Sequence, residues 1–265
     1  MRPILFLKSM GVIVRPLAAA AAILLAGALP GAAATFALVH GAFVGGWYWD
    51  PVAEDLRARG HRVVAVDLTG HGTRSAESDR DVSIEDHIRD VTEAIRAEAE
   101  PVVLVAHSYG GRPATGAWDT THERVAAVVF VEAAAPCGTG PLALPFEARE
   151  RLALEALASE TLASGLLPPP AELERRHPGR TIMPQSIDAL HGAVPLTRGP
   201  LPDTPGAYVL GAQSRARLYQ QYAKRISDER GWTVYEIESD HDLVHDAGEV
   251  LTRLLDELAG TLPKD

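Results

Sequence analysis

The chain predicts an α/β fold: a doubly wound, mostly parallel sheet carrying a helical lid. Three observations predict it. Near-continuous apolar runs recur at 35–40, 62–68, 102–108, 126–133, 207–212 and 233–239, as strands buried on both faces require. Helical patterns lie between most of them. One interval, 138–204, breaks that alternation and is crowded with prolines. Strand–helix alternation implies crossover connections, and therefore parallel pairing.

The first 34 residues read as an export signal. Arg2, Lys8 and Arg15 supply positive charge, 17–29 is an alanine-rich apolar run, and Ala32-Ala33-Ala34 offers a small-x-small cleavage site. The run is short of the ~20 residues a membrane span needs. No arginine pair precedes it, so the general secretory route is expected over a twin-arginine one. The expectation is a cleaved segment 1–34, one domain over 35–265, and a secreted, periplasmic or extracellular protein with no membrane attachment after cleavage.

Within that domain, Asp50-Pro51 opens a helix, with aspartate as its N-cap and proline in the first turn, and Gly60 follows its end. Ser83-Ile84-Glu85-Asp86 forms a capping-box pattern, and Ile84, Ile88, Val91 and Ile95 make one apolar stripe. Pro101 separates this helix from the next strand. The interval 138–204 reads as a lid inserted between two strands, with 146–166 helical in pattern. Ligand sites in such sheets lie beyond the C-terminal strand ends, where a lid would cover them. Val250, Leu251, Leu254, Leu255 and Leu258 stripe a final helix.

The formal charge is −10, and loss of 1–34, with three basic and no acidic residues, takes it to −13. That disfavours nucleic acid and anionic membranes as partners. The single cysteine, Cys137, excludes an internal disulfide, and no histidine motif frames it. No His-Glu-x-x-His or paired-cysteine spacing announces a metal, and no Gly-x-Gly-x-x-Gly follows a strand, so neither metal nor cofactor is expected.

The chemistry concentrates at Val102-Val-Leu-Val-Ala-His-Ser-Tyr-Gly-Gly. A buried strand hands over to a helix through a sharp turn with Ser108 at its tip. Ala106 stands where the usual pattern has its first glycine, and Gly110 keeps the second. A serine hydroxyl needs a base to take its proton and a third group to orient that base. His241, in Glu238-Ser-Asp-His-Asp after the last strand, reaches the same sheet edge and stands last in the order Ser…acid…His. The oxyanion hole is assigned to backbone N–H groups of Tyr109 and of Ala42, with Phe43 second, in the glycine-rich loop after the first strand. His40 is read as a brace for that loop, and Trp47 and Trp49 as packing.

Phe36-Ala-Leu-Val-His-Gly-Ala-Phe, Trp49, Asp67-Leu-Thr-Gly-His-Gly, Ala106-His-Ser-Tyr-Gly-Gly and Ser239-Asp-His together resemble the α/β-hydrolase superfamily. The methylesterase and hydroxynitrile lyase group and its bacterial esterase relatives are the nearest in flavour. The resemblance spans nearly all of 35–262 and is weakest in the lid. It implies that the triad acid should follow the strand at 207–212, where this chain carries Ser214. Some haloalkane dehalogenases of the same superfamily place their acid one strand earlier, which here is Glu132. Glu132 is therefore the expected acid, the alternative being a glutamate bonded to lid backbone. Dehalogenase chemistry is disfavoured because serine replaces the aspartate nucleophile. Lyase chemistry is disfavoured because Ala42 and Asp242 replace the threonine and lysine associated with it. The expected activity is a secreted serine hydrolase cleaving a small-molecule carboxylic ester or lactone through an acyl-enzyme on Ser108. A ligand-binding receptor-like protein, or a biosynthetic cyclase or lyase using the same pocket, is the alternative.

Overall fold

The computed structural model describes residues 33–135, 164–197, 201–214 and 217–262, together with the backbone of Leu5–Lys8 and Gly11–Ile13. Each of the six apolar runs forms a strand: β3 (Thr35–Val39), β4 (Arg62–Val66), β5 (Val102–His107), β6 (Val125–Val131), β9 (Gly206–Gly211) and β10 (Thr233–Ile237). Two short amino-terminal strands, β1 (Leu5–Lys8) and β2 (Gly11–Ile13), extend the sheet beside β10. Its order is β2-β1-β10-β9-β6-β5-β3-β4, parallel throughout except for β1 with β2. The central strands β3 and β5 are buried at every residue, which is why they read as unbroken apolar runs, whereas the edge strand β4 is half-exposed.

Helices cover both faces. On one, α1 (Asp50–Ala58) and the last helix, α8 (Gly248–Gly260), bury Val52, Leu56, Leu251, Leu254 and Leu255. On the other, α2 (Ile84–Ala97), α3 (Gly111–Thr121) and α6 (Arg217–Arg230) bury Ile84, Val91, Ile95, Trp118 and Ile226. The capping box of α2 forms in full: the Asp86 N–H donates to Ser83 Oγ (3.2 Å) and the Ser83 N–H to Asp86 Oδ2 (2.8 Å). Asp50 departs from its expected place. It enters α1 as the first helical residue, makes no cap bond, and pairs with Arg180 at 2.8 Å.

The described part of 138–204 holds β7 (Leu166–Leu167) paired antiparallel with β8 (Gln185–Ser186), and the short helices α4 (Ala171–Arg176) and α5 (Ile187–His191). α5 packs on α2. The apolar run 17–29, Cys137 and most of the helix expected at 146–166 lie outside the described residues. Among those described, no helix is long and apolar enough to cross a membrane.

The sheet order positions the site. From β3 the chain moves outward to β4, then returns to place β5 on the other side of β3. The loops after β3 and β5 therefore diverge and leave a crevice at their C-terminal ends. Gly41-Ala42-Phe43 and Ser108 are the residues that follow those two strands.

Candidate active site

Ser108 follows β5 directly and opens a short 3-10 turn, Ser108–Gly110, that leads into α3. Its φ is +54°, a left-handed conformation that costs a residue with a side chain roughly 1–3 kcal/mol. The turn is tight because the chain crosses the loop after β3. A Cβ at Gly110 would stand 2.4 Å from the His40 carbonyl oxygen, so only glycine fits. Ala106 is wholly buried. Ser108 faces a cavity of about 360 Å³ whose wall also includes His241, Ala42, Phe43 and Leu173.

Ser108 Oγ and His241 Nε2 are 3.0 Å apart, and His241 Nδ1 and Glu132 Oε2 are 3.3 Å apart. The tautomer that satisfies both contacts carries its proton on Nδ1, donates to Glu132 and accepts from the serine. His241 is partly open to the cavity while Glu132 is fully buried. Glu132 follows β6 directly with φ +44°, a second strained residue in the line. Its Oε1 accepts from the Gly211 N–H and its Oε2 from Ser214 Oγ, both at 2.8 Å. β6 and β9 are neighbours, so a carboxylate at the end of β6 reaches the space that an acid after β9 would fill. Ser214 touches the carboxylate and so braces the acid. A Cβ at Gly211 would meet the Asp240 carbonyl oxygen at 2.4 Å, because the His241 loop crosses there.

Ala42 and Phe43 line the cavity opposite, and Phe43 has φ +71°. The Met183 N–H donates to the Phe43 carbonyl at 2.8 Å, which pins this loop to the segment after α4. The Tyr109 N–H lies in the first turn of its helix, where no intrahelical acceptor exists, which is where an oxyanion donor would have to stand. Tyr109's hydroxyl donates away from the cavity, to the Ala189 carbonyl (3.0 Å). His40 is fully buried. Its Nδ1–H donates to the Gly41 carbonyl (2.7 Å), and its Nε2 accepts from the Leu68 N–H (3.2 Å). Burial, then His71 nearby, push its pKa down to about 3, so it is a neutral brace between two loops.

Four residues around Ser108, His241 and Glu132 make contacts that no sequence signal assigns to them. His107 Nε2–H donates to the His241 carbonyl at 2.9 Å, tying the base's own backbone to β5. Burial, with His241 beside it, holds His107 well below the usual imidazole range. Tyr48 stacks on His107 (centroids 4.9 Å, 23°) and donates to Asp242 Oδ1 at 2.8 Å. Arg176, on α4, donates from Nε to Asp242 Oδ2 (2.8 Å) and from Nη2 to both oxygens of Asp246 (2.8 and 2.7 Å), clasping the His241 loop from above. Tyr219, on α6, lies flat on the His241 ring (4.9 Å, 10°) with its hydroxyl 3.2 Å from Ser108 Oγ.

The stack limits rotation of the imidazole, and the hydroxyl offers the serine oxygen a second bond. Tyr219→Phe keeps the stack and loses one hydrogen bond, so kcat/KM should fall about 2–10-fold. Tyr219→Ala should fall further, since the ring is then unsupported. Equal rates for wild type and Tyr219→Ala in steady-state assays would refute a positioning role.

A model of the alpha/beta hydrolase family matches residues 36–254. A carbendazim-hydrolyzing esterase from a Nocardioides strain is 32% identical over 237 residues, covering 84% of this chain and 98% of that one. A methylesterase from Arabidopsis thaliana is 38% identical over 115 residues, covering 42% of this chain and 44% of its own length. Among solved structures, an extracellular α/β-hydrolase from a Paenibacillus species is similar with a TM-score of 0.69 at 21% identity, covering 84% of this chain and 98% of that one. At that identity the likeness concerns the fold.

Proposed function

The chain belongs to the α/β-hydrolase family and is a carboxylic ester hydrolase, and from that premise we propose that it is exported and cleaves a small carboxylic ester or lactone through an acyl-enzyme on Ser108. One observation carries the mechanism: the hydrogen-bonded line from Ser108 through His241 to the buried carboxylate of Glu132, opening on a cavity of small-molecule size. Ser108 Oγ attacks the carbonyl carbon while His241 Nε2 takes the hydroxyl proton. Glu132 holds the imidazole by its Nδ1–H and offsets the positive charge that develops on it. The N–H groups of Tyr109 and Ala42 receive the oxyanion. His241 then protonates the leaving alcohol, and water, deprotonated by the same histidine, releases the acid and restores Ser108.

The name of the bacterial relative makes carbendazim a first substrate to assay, and that of the plant relative does the same for small methyl esters. Export is supported by the basic residues, apolar run and small-residue site within 1–34. The receptor-like reading rests on the serine at position 214, where the resemblance expects an aspartate, and the cyclase or lyase reading on use of the same pocket without hydrolysis. With Glu132 facing His241, no observation favours them.

A fluorophosphonate probe added to the culture fluid of an expressing bacterium tests both parts. The expected product is a chain beginning near Thr35 with one adduct, on Ser108, that Ser108→Ala abolishes. Absence of an adduct while a control serine esterase is labelled would count against the acyl-enzyme. Full-length labelled protein confined to the cells would count against export.

A further inference from the structure

Beside the cavity, the segment after α4 meets the turn after His241 in a cluster that the ester chemistry does not use. His177 comes from the first. Asp242 and His245 come from the second, where α7 (Leu243–Asp246) begins. His177 Nε2 and His245 Nε2 are both buried atoms without a hydrogen-bond partner among the described residues. Their rings lie 4.5 Å apart between centroids. His177 is only 6% exposed, and its Nε2 stands 3.4 Å from Asp242 Oδ2 without forming an aligned hydrogen bond. A buried polar atom left without a partner costs about 1–3 kcal/mol, so two facing one carboxylate ask for an occupant.

We propose that His177, Asp242 and His245 form a binding site for a divalent cation of the zinc class. The three ligand atoms lie within 4.8 Å of one another. Two ligands of a tetrahedral zinc with bonds of ~2.0 Å stand about 3.3 Å apart, which matches the separation of His177 Nε2 and Asp242 Oδ2. His245, whose ligand nitrogen lies within 4.8 Å of the other two ligand atoms, supplies the third ligand, and water takes the fourth position. Two imidazoles and one carboxylate suit zinc, cobalt or nickel, whereas calcium and magnesium prefer oxygen alone.

The surrounding charge favours a dication. Asp240, Asp242 and Asp246 share the guanidinium of Arg176, and Arg180 is paired with Asp50. Three carboxylates against one guanidinium leave two negative charges at this edge. Asp242 is already oriented as a ligand should be. Its Oδ1 accepts from the Tyr48 hydroxyl, and its Oδ2 accepts from Arg176 Nε with one of two lone pairs, leaving the other for the metal. The metal would fasten the α4 segment to the turn that carries His241. The pattern was invisible in the sequence because Asp242 and His245 meet His177 only through the fold.

Isothermal titration of the untagged, chelator-treated mature protein with zinc chloride is the test, with His177→Ala, His245→Ala and, as control, His122→Ala. Wild type and the control should bind one zinc per chain, and affinity should fall at least tenfold in both site variants. Zinc a hundredfold above Kd should raise the wild-type Tm by roughly 5–10 °C. Cobalt should give the visible bands of a tetrahedral site. If His177→Ala does not fold, His245→Asn, whose metal-free Tm verifies its fold, carries the comparison. Absence of binding to wild type, or unchanged binding in a folded site variant, would overturn the proposal. No readout depends on ester turnover, so either result leaves the hydrolase reading to its own test.

Discussion

Ser108→Ala and His241→Ala should each lower kcat by about a millionfold, and the double variant should be no slower than either. The reason is that in the proposed mechanism the two residues perform one act. Ser108 Oγ is 3.0 Å from His241 Nε2, so nucleophile and base are already in contact before substrate arrives. Without the base, the hydroxyl keeps its proton. Without the hydroxyl, the base has no proton to take. What remains is the oxyanion hole and binding, which alone hold a residual acceleration of about 10³–10⁴ over water. Single-turnover rates on a chromogenic ester would measure this. Losses that multiply in the double variant would mean that the two residues act independently, and the acyl-enzyme scheme would fail.

Glu132→Gln should cut kcat roughly 10³–10⁴-fold, while Ser214→Ala should change it less than about tenfold. The amide has nearly the carboxylate's shape, so packing is kept. Its NH2 group, however, faces Nδ1 with a donor, favours the tautomer protonated on Nε2, and offers no charge to the imidazolium. Ser214 plays a lesser part. It supplies one of the two bonds that hold the Glu132 carboxylate from the β9 side, and the Gly211 N–H remains when it is removed. Its loss should therefore appear more in Tm than in turnover. A larger kcat loss for Ser214→Ala than for Glu132→Gln would assign the orienting role to position 214 and move the acid off β6.

Much of the fold was legible because its causes are local. β3, β5 and β6 are buried on both faces, and that burial writes unbroken apolar runs. The capping box of α2 and its stripe are periodic signals within a few turns. The two-residue strands β7 and β8 left no such signal, since a pair of residues has no period and their pairing is set by contacts around them. Asp50 was misread as a cap because its sequence context is that of an N-cap, whereas the preceding 3-10 turn already supplies helical geometry at Trp49.

The candidate site divides the same way. Ser108, Ala42 and Tyr109 are expected from strand-to-turn chemistry and small residues nearby in sequence, whereas Glu132 is expected only through the resemblance to dehalogenases that carry their acid one strand earlier. Tyr219, His107 and Arg176 act on partners 111, 134 and 66 residues away, and although His107 stands in the nucleophile's own motif, nothing local to any of the three names its partner.

By itself, then, the sequence determined the strands, the nucleophile's turn and the residue types available to activate it, because hydrophobic period, turn sterics and proton chemistry are properties of short segments. Only the tertiary structure decided that Glu132 stands behind His241 while Ser214 stands behind Glu132, that Tyr219 supports the base, and that His177 meets Asp242 and His245. Those outcomes depend on which strands become neighbours and on which side of a ring a distant helix arrives, and such distances exist only once the chain has closed on itself.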